Sequence, residues 1–314
     1  MRPIFIGGCD RSGTTLLGSL LGGTVGAITT PESQFKAKIF RELDWLGDPV
    51  GRLIAAALEM ITAHDRFCSW TTKLPQLPSP EDNGPTTFRG LLEWVVTHYS
   101  QQHEGPAAPQ VWIDHDPQNF RIFDDLVHHF PEARFVHIVR DGRAVAASLF
   151  PLDWGPNTVL KAAHFWQTNV EHSLNAEQQH ADRVVRVGYE DLVREPQETL
   201  AQLCQQLDLH FSHKVAEGGE FAVPSYTQGQ HELVGHPPDA SRIDAWRDKL
   251  TPRQIELFES EAGALLQQLG YRLTNDNPCT ATCWERSHLA LTELFQKQIK
   301  RRRYKRRVAT QQSG

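Results

Sequence analysis

The chain has 314 residues, 39% hydrophobic and 22% charged, with a formal net charge of −6, which is ordinary for a soluble enzyme with one large core or two modest ones. No stretch approaches the ~18 continuous apolar residues of a membrane-spanning helix, and the start lacks a basic segment followed by an apolar signal core, so a cytoplasmic protein is expected. Five scattered cysteines, of which only Cys279 and Cys283 are close, favour reduced thiols over a disulfide framework or a zinc site.

The first predicted strand is the apolar run Pro3 to Ile6, and GGCDRSGTTLL follows it, residues 7 to 17. Gly8 and Gly13 have the G-x-x-x-x-G spacing of a phosphate loop, but Thr14 stands where nucleotide-hydrolysing versions carry Lys. A glycine-containing turn between a strand and a helix aims several backbone N–H groups at one anion, and the helix N-terminus adds partial positive charge. Arg11 supplies a cation, Gly13 the turn, and Ser12, Thr14 and Thr15 hydroxyl donors. Such a loop can hold a phosphate without lysine, provided the ligand carries less charge at its reactive end than a nucleoside triphosphate.

Helices are predicted over 14–21, 34–46, 50–63 and 87–101, with Glu32 ahead of the second in TTPESQF and a Pro/Ser/Thr-rich loop over 69–85. A strand over 110–113 leads into His115 within VWIDHDPQNF, then a helix over 122–129. The next strand, 134–139, ends at Arg140, and Asp141-Gly142 turns into a helix over 143–150 that carries Ser148. Arg140 at the carboxyl edge of a parallel strand is placed where such sheets bind ligands, and an Arg with a hydroxyl suits a second phosphate. A helix over 158–180, a strand over 183–187 and helices over 196–207 and 252–269 complete the pattern, with a Gly/Pro/His-rich loop over 217–239.

Strands alternating with helices imply an α/β fold: a P-loop-type parallel sheet flanked by helices, with helical insertions. The expected organisation is one domain over 1–275, with a helical insertion at about 35–109, and a C-terminal helix and basic tail over 276–314. The residues alone leave three readings open. FVHIVRD could be a strand ending in a magnesium-binding Asp141 of a phosphotransferase, the nucleotide fold could serve a non-catalytic regulatory protein, or the chain could transfer a less charged group.

The opening PIFIGGCDRSGTTLL resembles the 5'-phosphosulfate loop of the sulfotransferases, and FVHIVRDGRAVAASL resembles their 3'-phosphate motif. Segments 186–209 and 242–271 resemble that family in the same order, closest to its bacterial and tyrosylprotein branch. The resemblance implies 3'-phosphoadenosine-5'-phosphosulfate (PAPS) as sulfuryl donor, an acceptor hydroxyl or amine attacking in line, and no required metal. It implies donor contacts by Arg11, Ser12, Gly13, Thr14 and Thr15 at one end, and by Arg140 and Ser148 at the other. Tyr189 and Trp166 are candidates for stacking on the adenine, although both also suit core packing, and Arg242, ahead of Trp246, is a candidate for closing over the nucleotide.

In the family a Glu placed like Glu32 serves as general base; its other role here would be to cap the following helix. His115 stands where the family commonly has a Lys that stabilises the departing oxygen, which makes it a second catalytic candidate, as donor or base. The acceptor is left open among carbohydrate, lipid, phenol and peptide. The tail KQIKRRRYKRR, 297–307, holds eight of the 32 basic residues, leaving 24 against 38 acidic elsewhere, a net of −14. That acidic body argues against nucleic acid, and leaves the tail as a solvated helix or a peripheral contact with anionic membrane.

Overall fold

The structure, a computed structural model, describes residues 1–43, 52–212 and 239–311. The far end of the helix expected over 34–46, the start of the one over 50–63 and nearly all of the 217–239 loop lie outside the described residues.

Five strands form one parallel sheet in the order β2-β3-β1-β4-β5: β1 Arg2–Gly8, β2 Ala27–Thr30, β3 Val111–Asp114, β4 Arg134–Val139 and β5 Val184–Gly188. β1 is central, with Ile4 opposite Ile113 on one side and Arg134 on the other. Its residues are buried from Pro3 onward, and that accounts for its unbroken apolar run, since a parallel strand is covered on both faces. Helices α1 Thr14–Gly22, α2 Phe35–Glu42, α3 Arg52–Thr62, α4 Asp65–Cys68, α5 Phe88–Gln102, α6 Phe123–His129, α7 Gly142–Leu149, α8 Val159–Gln179, α9 Tyr189–Arg194 and α10 Pro196–Gln206 fill the connections. After the segment outside the described residues come α11 Trp246–Lys249, α12 Pro252–Gln268 and α13 Cys283–Gln311.

Two compact units share the chain, Met1–Ile138 with Ser173–Asp239 and Val139–His172 with Ala240–Gly314. In the first, Phe5 sets its ring 5.6 Å from Trp112 and 5.4 Å from both Phe130 and Phe135. The same core runs into the helical insertion through Phe35, Phe67, Trp70 and Tyr99. In the second, Trp166 packs on Phe258, and Trp246, Leu250 and Ile255 close on Ala144 and Ala147 of α7.

Helix starts follow ordinary capping chemistry. Thr87 caps α5, and Thr251 with Gln254 forms a capping box on α12. The start of α1 is different. It has no side-chain cap and no acid in its first turn.

Candidate active site

The loop between β1 and α1 is built from unusual backbone angles. Gly8 and Gly13 take positive φ of 149° and 104°, and Arg11 takes 71°, so the chain curls back and the Ser12 N–H donates to the Cys9 carbonyl at 3.1 Å. A Cβ at Gly13 would come 2.7 Å from a ring carbon of Tyr189; the loop is braced by that buried ring. With α1 uncapped, its first N–H groups are left for an anion. The Ser12 side chain is buried, and its hydroxyl has no hydrogen-bond partner among the described residues. Leaving a buried hydroxyl unsatisfied costs free energy, and an anionic oxygen in the loop would remove that cost. The residues present therefore fit a phosphate or phosphosulfate group.

Glu32 follows β2 in the same unit, its side chain 15% exposed. The Gln34 amide donates to Oε2 at 3.0 Å, and Arg66 on α4 lies 3.7 Å away. Burial pushes its carboxyl up to about 7, against the pull of Arg66 and with help from the charges of Asp116 and Asp10. α2 begins at Phe35 without a side-chain cap, so Glu32 does not serve as one.

Behind Glu32 lies a buried cluster that the sequence did not disclose. Ser33 donates from Oγ to Asp114 Oδ2, and the Lys36 ammonium donates to the same oxygen at 2.5 Å and to Asn119 Oδ1 at 2.7 Å. Asn119 donates in turn to the Ile6 carbonyl at 2.9 Å, and the Asp116 N–H to Asp114 Oδ1 at 3.0 Å. Lys36 and Asp114 are both fully buried. Burial works to raise the Asp114 carboxyl, but the charge and hydrogen bonds of Lys36 outweigh it and hold it low. These bonds fasten Ser33, and so its neighbour Glu32, to the end of β3, and Lys36 to the segment that follows it. The one signal for Lys36 was phase, because it shares a helical face with buried Ile39.

His115 sits in that segment with its ring against α1, where a Cβ at Gly18 would meet His115 Cβ at 2.8 Å. Burial pushes its imidazole down to about 4. Around neutrality it is therefore uncharged and cannot replace a lysine's charge. The next residue, Asp116, and Asp10, whose charge acts on Asp116, are both raised by burial, Asp10 with Arg121 at 4.0 Å. Arg66 was missed because it stands in no recognisable motif, and Asp116, although it lies in VWIDHDPQNF, because nothing in that motif assigned it a role beside His115.

In the second unit, Arg140 follows β4 and donates to the Arg242 carbonyl at 3.5 Å. Ser148 lies on the last turn of α7 and is half-buried. Trp166 is wholly buried and donates its indole N–H to the Arg140 carbonyl at 3.1 Å, with no ring face left for a base. The stacking role considered for it is thus replaced by core packing. Asp141 is also committed, capping α7 through the Arg143 N–H at 2.8 Å and accepting from the Arg143 guanidinium at 3.0 and 2.7 Å. Arg143 reaches Glu259 as well, at 2.5 Å, and lies 4.2 Å over the Trp246 ring. The Asp141 carboxylate thus serves as helix cap and as the ion-pair partner of Arg143, whose adjacent positive charge opposes binding of a magnesium ion. Among the described residues no cluster of His, Cys, Asp and Glu has metal-binding geometry.

A family model described as "Sulfotransferase family" matches residues 3–213. The protein-tyrosine sulfotransferase of Drosophila melanogaster is 25% identical over 292 residues, 86% of this chain and 52% of that protein, so the chain spans about half its length. Protein-tyrosine sulfotransferase 1 of Danio rerio is 23% identical, covering 86% of this chain and 72% of that protein. Two solved structures share the fold: the sulfotransferase domain of the curacin biosynthetic pathway (TM-score 0.59, 20% identity, 87% of this chain and 99% of that one) and that of the Synechococcus PCC 7002 olefin synthase (0.59, 24%, 87% and 96%).

Proposed function

Because the chain belongs to the sulfotransferase family, we propose that it moves a sulfuryl group from PAPS to an acceptor hydroxyl, with Glu32 as general base. The observation that carries this reading is a carboxyl with a pKa of about 7 in the field of the anion loop's Asp10 and Arg11. A base works best when its pKa lies near the working pH.

The donor supplies a singly charged sulfuryl group on a nucleotide leaving group. The loop from Gly8 to Thr15 binds the 5' end, with the Ser12 hydroxyl and the first N–H groups of α1 donating and Arg11 balancing charge. Arg140 and Ser148 take the 3'-phosphate and Arg242 the nucleotide; these three assignments rest on the sequence motifs. Glu32 accepts the acceptor's proton on its carboxylate as the oxygen attacks, and Arg66 keeps a larger share of that carboxylate ionised. His115, neutral, can orient a group by hydrogen bonding but brings no charge. Since relatives carry the name protein-tyrosine sulfotransferase, a tyrosyl hydroxyl is the first acceptor to test, ahead of carbohydrate and lipid hydroxyls.

The donor half can be tested without an acceptor. Adenosine 3',5'-bisphosphate should raise the melting temperature more than adenosine 5'-monophosphate, since a ligand at ~100 times its dissociation constant stabilises by about 2.7 kcal/mol. Arg140→Ala should weaken the bisphosphate by roughly 10- to 100-fold and leave the monophosphate nearly unchanged. Equal stabilisation by both, or a larger effect of magnesium with adenosine triphosphate, overturns the assignment. Labelled donor offered with a tyrosyl peptide then tests the acceptor.

A further inference from the structure

The C-terminal helix α13, Cys283–Gln311, turns four large apolar residues outward, Trp284, Leu291, Leu294 and Phe295. It is held to its own unit by polar contacts. Glu285 pairs with Arg253 at 2.9 Å, Glu293 accepts from the Asn157 backbone and side chain, each at 2.9 Å, and Lys300 donates to the Phe150 carbonyl at 3.1 Å. On the opposite side stand Trp284, Leu291 and Phe295, at i, i+7 and i+11, with 73%, 67% and 65% of their surface exposed. Leu294, 62% exposed, widens the stripe, and His288 stacks on Trp284 with ring centroids 5.3 Å apart. A surface helix normally turns such residues to the core. This one turns its acids there instead.

The stripe runs into the basic segment 297–307, eight Lys or Arg without an acid, and Arg302, eighteen residues after Trp284, returns to the same side at ~3.6 residues per turn. Aromatic and branched side chains beside a dense block of cations are what an anionic lipid surface binds: the rings and leucines enter the headgroup boundary while the cations meet the phosphates. Neither signal alone holds a protein on a membrane, but two together do. A second copy of the chain fits less well, because a parallel pairing of the stripes would crowd two basic segments together and an antiparallel one would leave both blocks of cations without counter-charge. No helix among the described residues is long and apolar enough to cross a membrane. We propose that α13 is an interfacial docking helix that seats the protein on an anionic bilayer through Trp284, Leu291, Phe295 and the basic segment.

Sedimentation of the full chain with lipid vesicles tests this. Binding should be at least about tenfold tighter to phosphatidylcholine–phosphatidylserine vesicles than to phosphatidylcholine alone, and should weaken as salt is raised. The triple change Trp284→Ala, Leu291→Ala and Phe295→Ala should lower affinity by roughly tenfold or more, while the melting temperature holds, because the three side chains are exposed and alanine favours helix. Lipids brominated in the acyl chain should quench fluorescence in the wild type and not in Trp284→Phe. Equal binding to neutral and anionic vesicles overturns the proposal, as does undiminished binding by the triple variant. So does a dimer that the triple variant dissolves without change in vesicle binding, or an oligonucleotide bound more tightly than the vesicles.

Discussion

Lys36 in the first unit and Arg143 in the second are both buried cations clamped to aspartate, and their surroundings differ in one respect. Arg143 answers every acid near it: Asp141 takes two of its N–H groups, Glu259 takes another, and Glu259 also receives the backbone N–H groups of Thr274 and Asn275 at 2.8 and 3.2 Å. Lys36 satisfies Asp114 and Asn119 and goes no further. Beside it Glu32, Asp116 and Asp10 are left with carboxyls that burial raises. A closed network of charge holds a structure together. An acid left short of cations beside one is a group whose proton can be moved near neutral pH.

The largest expected effect comes from breaking either clamp. Lys36→Met and Arg143→Met should each cost ~3–5 kcal/mol, since removing one member of a buried pair leaves the other charge without compensation, a fall of roughly 10 °C in melting temperature. The comparison is sharpened by pairing each with its partner's neutral form. Lys36→Met with Asp114→Asn should recover much of the lost stability yet not the turnover, because the ammonium that ties α2, and with it the turn carrying Glu32, to Asn119 is gone. Arg143→Met with Asp141→Asn has no such link to Glu32. If turnover follows melting temperature alone in both series, Lys36 has no positioning role.

Next in size is Glu32→Gln, expected to lower turnover by roughly 100-fold or more, the ordinary contribution of a general base, with the affinity for adenosine 3',5'-bisphosphate unchanged. Its stability signature is separate. The folded pKa of Glu32, about 7, lies above its ordinary 4.5, so the folded state binds the proton more tightly than the unfolded one. That contribution is fully present below pH ~4.5 and is lost as pH rises through ~7. The glutamine variant should therefore melt higher than the wild type above pH ~7, by at most ~3 kcal/mol at about 1.4 kcal/mol per unit, and lose that advantage in acid. A variant with near-normal turnover sends the search for the base to Asp116 and His115.

What the sequence made legible follows the same division between local and distant information. β1 stands out as an apolar run and β4 as one interrupted only by His137, and α1 and α7 were placed within one or two residues, because periodicity and glycine punctuation are local. β2 escaped notice, since Ala27-Ile28-Thr29-Thr30 is short and half of it is threonine. It is a strand because Trp112 donates to Thr30 Oγ1 at 2.9 Å and its backbone pairs with β3. Glu32 and the loop were found through motif resemblance. Lys36 was not, because its partner lies 78 residues away and nothing in PESQFKAKIF shows that Lys36 is the buried lysine and Lys38 is not. Trp166 stayed ambiguous for a related reason: a tryptophan's place in an amphipathic helix cannot distinguish the inside of a core from the wall of a nucleotide site.

The smallest predicted effect bears on the open side of the comparison. Arg66, the cation nearest Glu32, lies 3.7 Å from it and is 30% exposed, so water screens part of its field. It nonetheless holds the Glu32 carboxyl lower than burial alone would. Arg66→Met should move the acid limb of the kcat/KM profile upward by less than about one unit, since one partly screened charge is a modest perturbation. A shift of that size means a few-fold loss of activity at pH 6 and almost none at pH 9, where Glu32 is ionised in either protein. Adenosine 3',5'-bisphosphate binding should be untouched, because Arg66 has no place in the anion loop. Should Arg66 instead bind the acceptor, KM would rise by a similar factor at every pH, and the two roles separate on that profile. An acid limb that stays put, with KM and kcat both unchanged, would mean that Glu32 is not the group whose ionisation the profile reports.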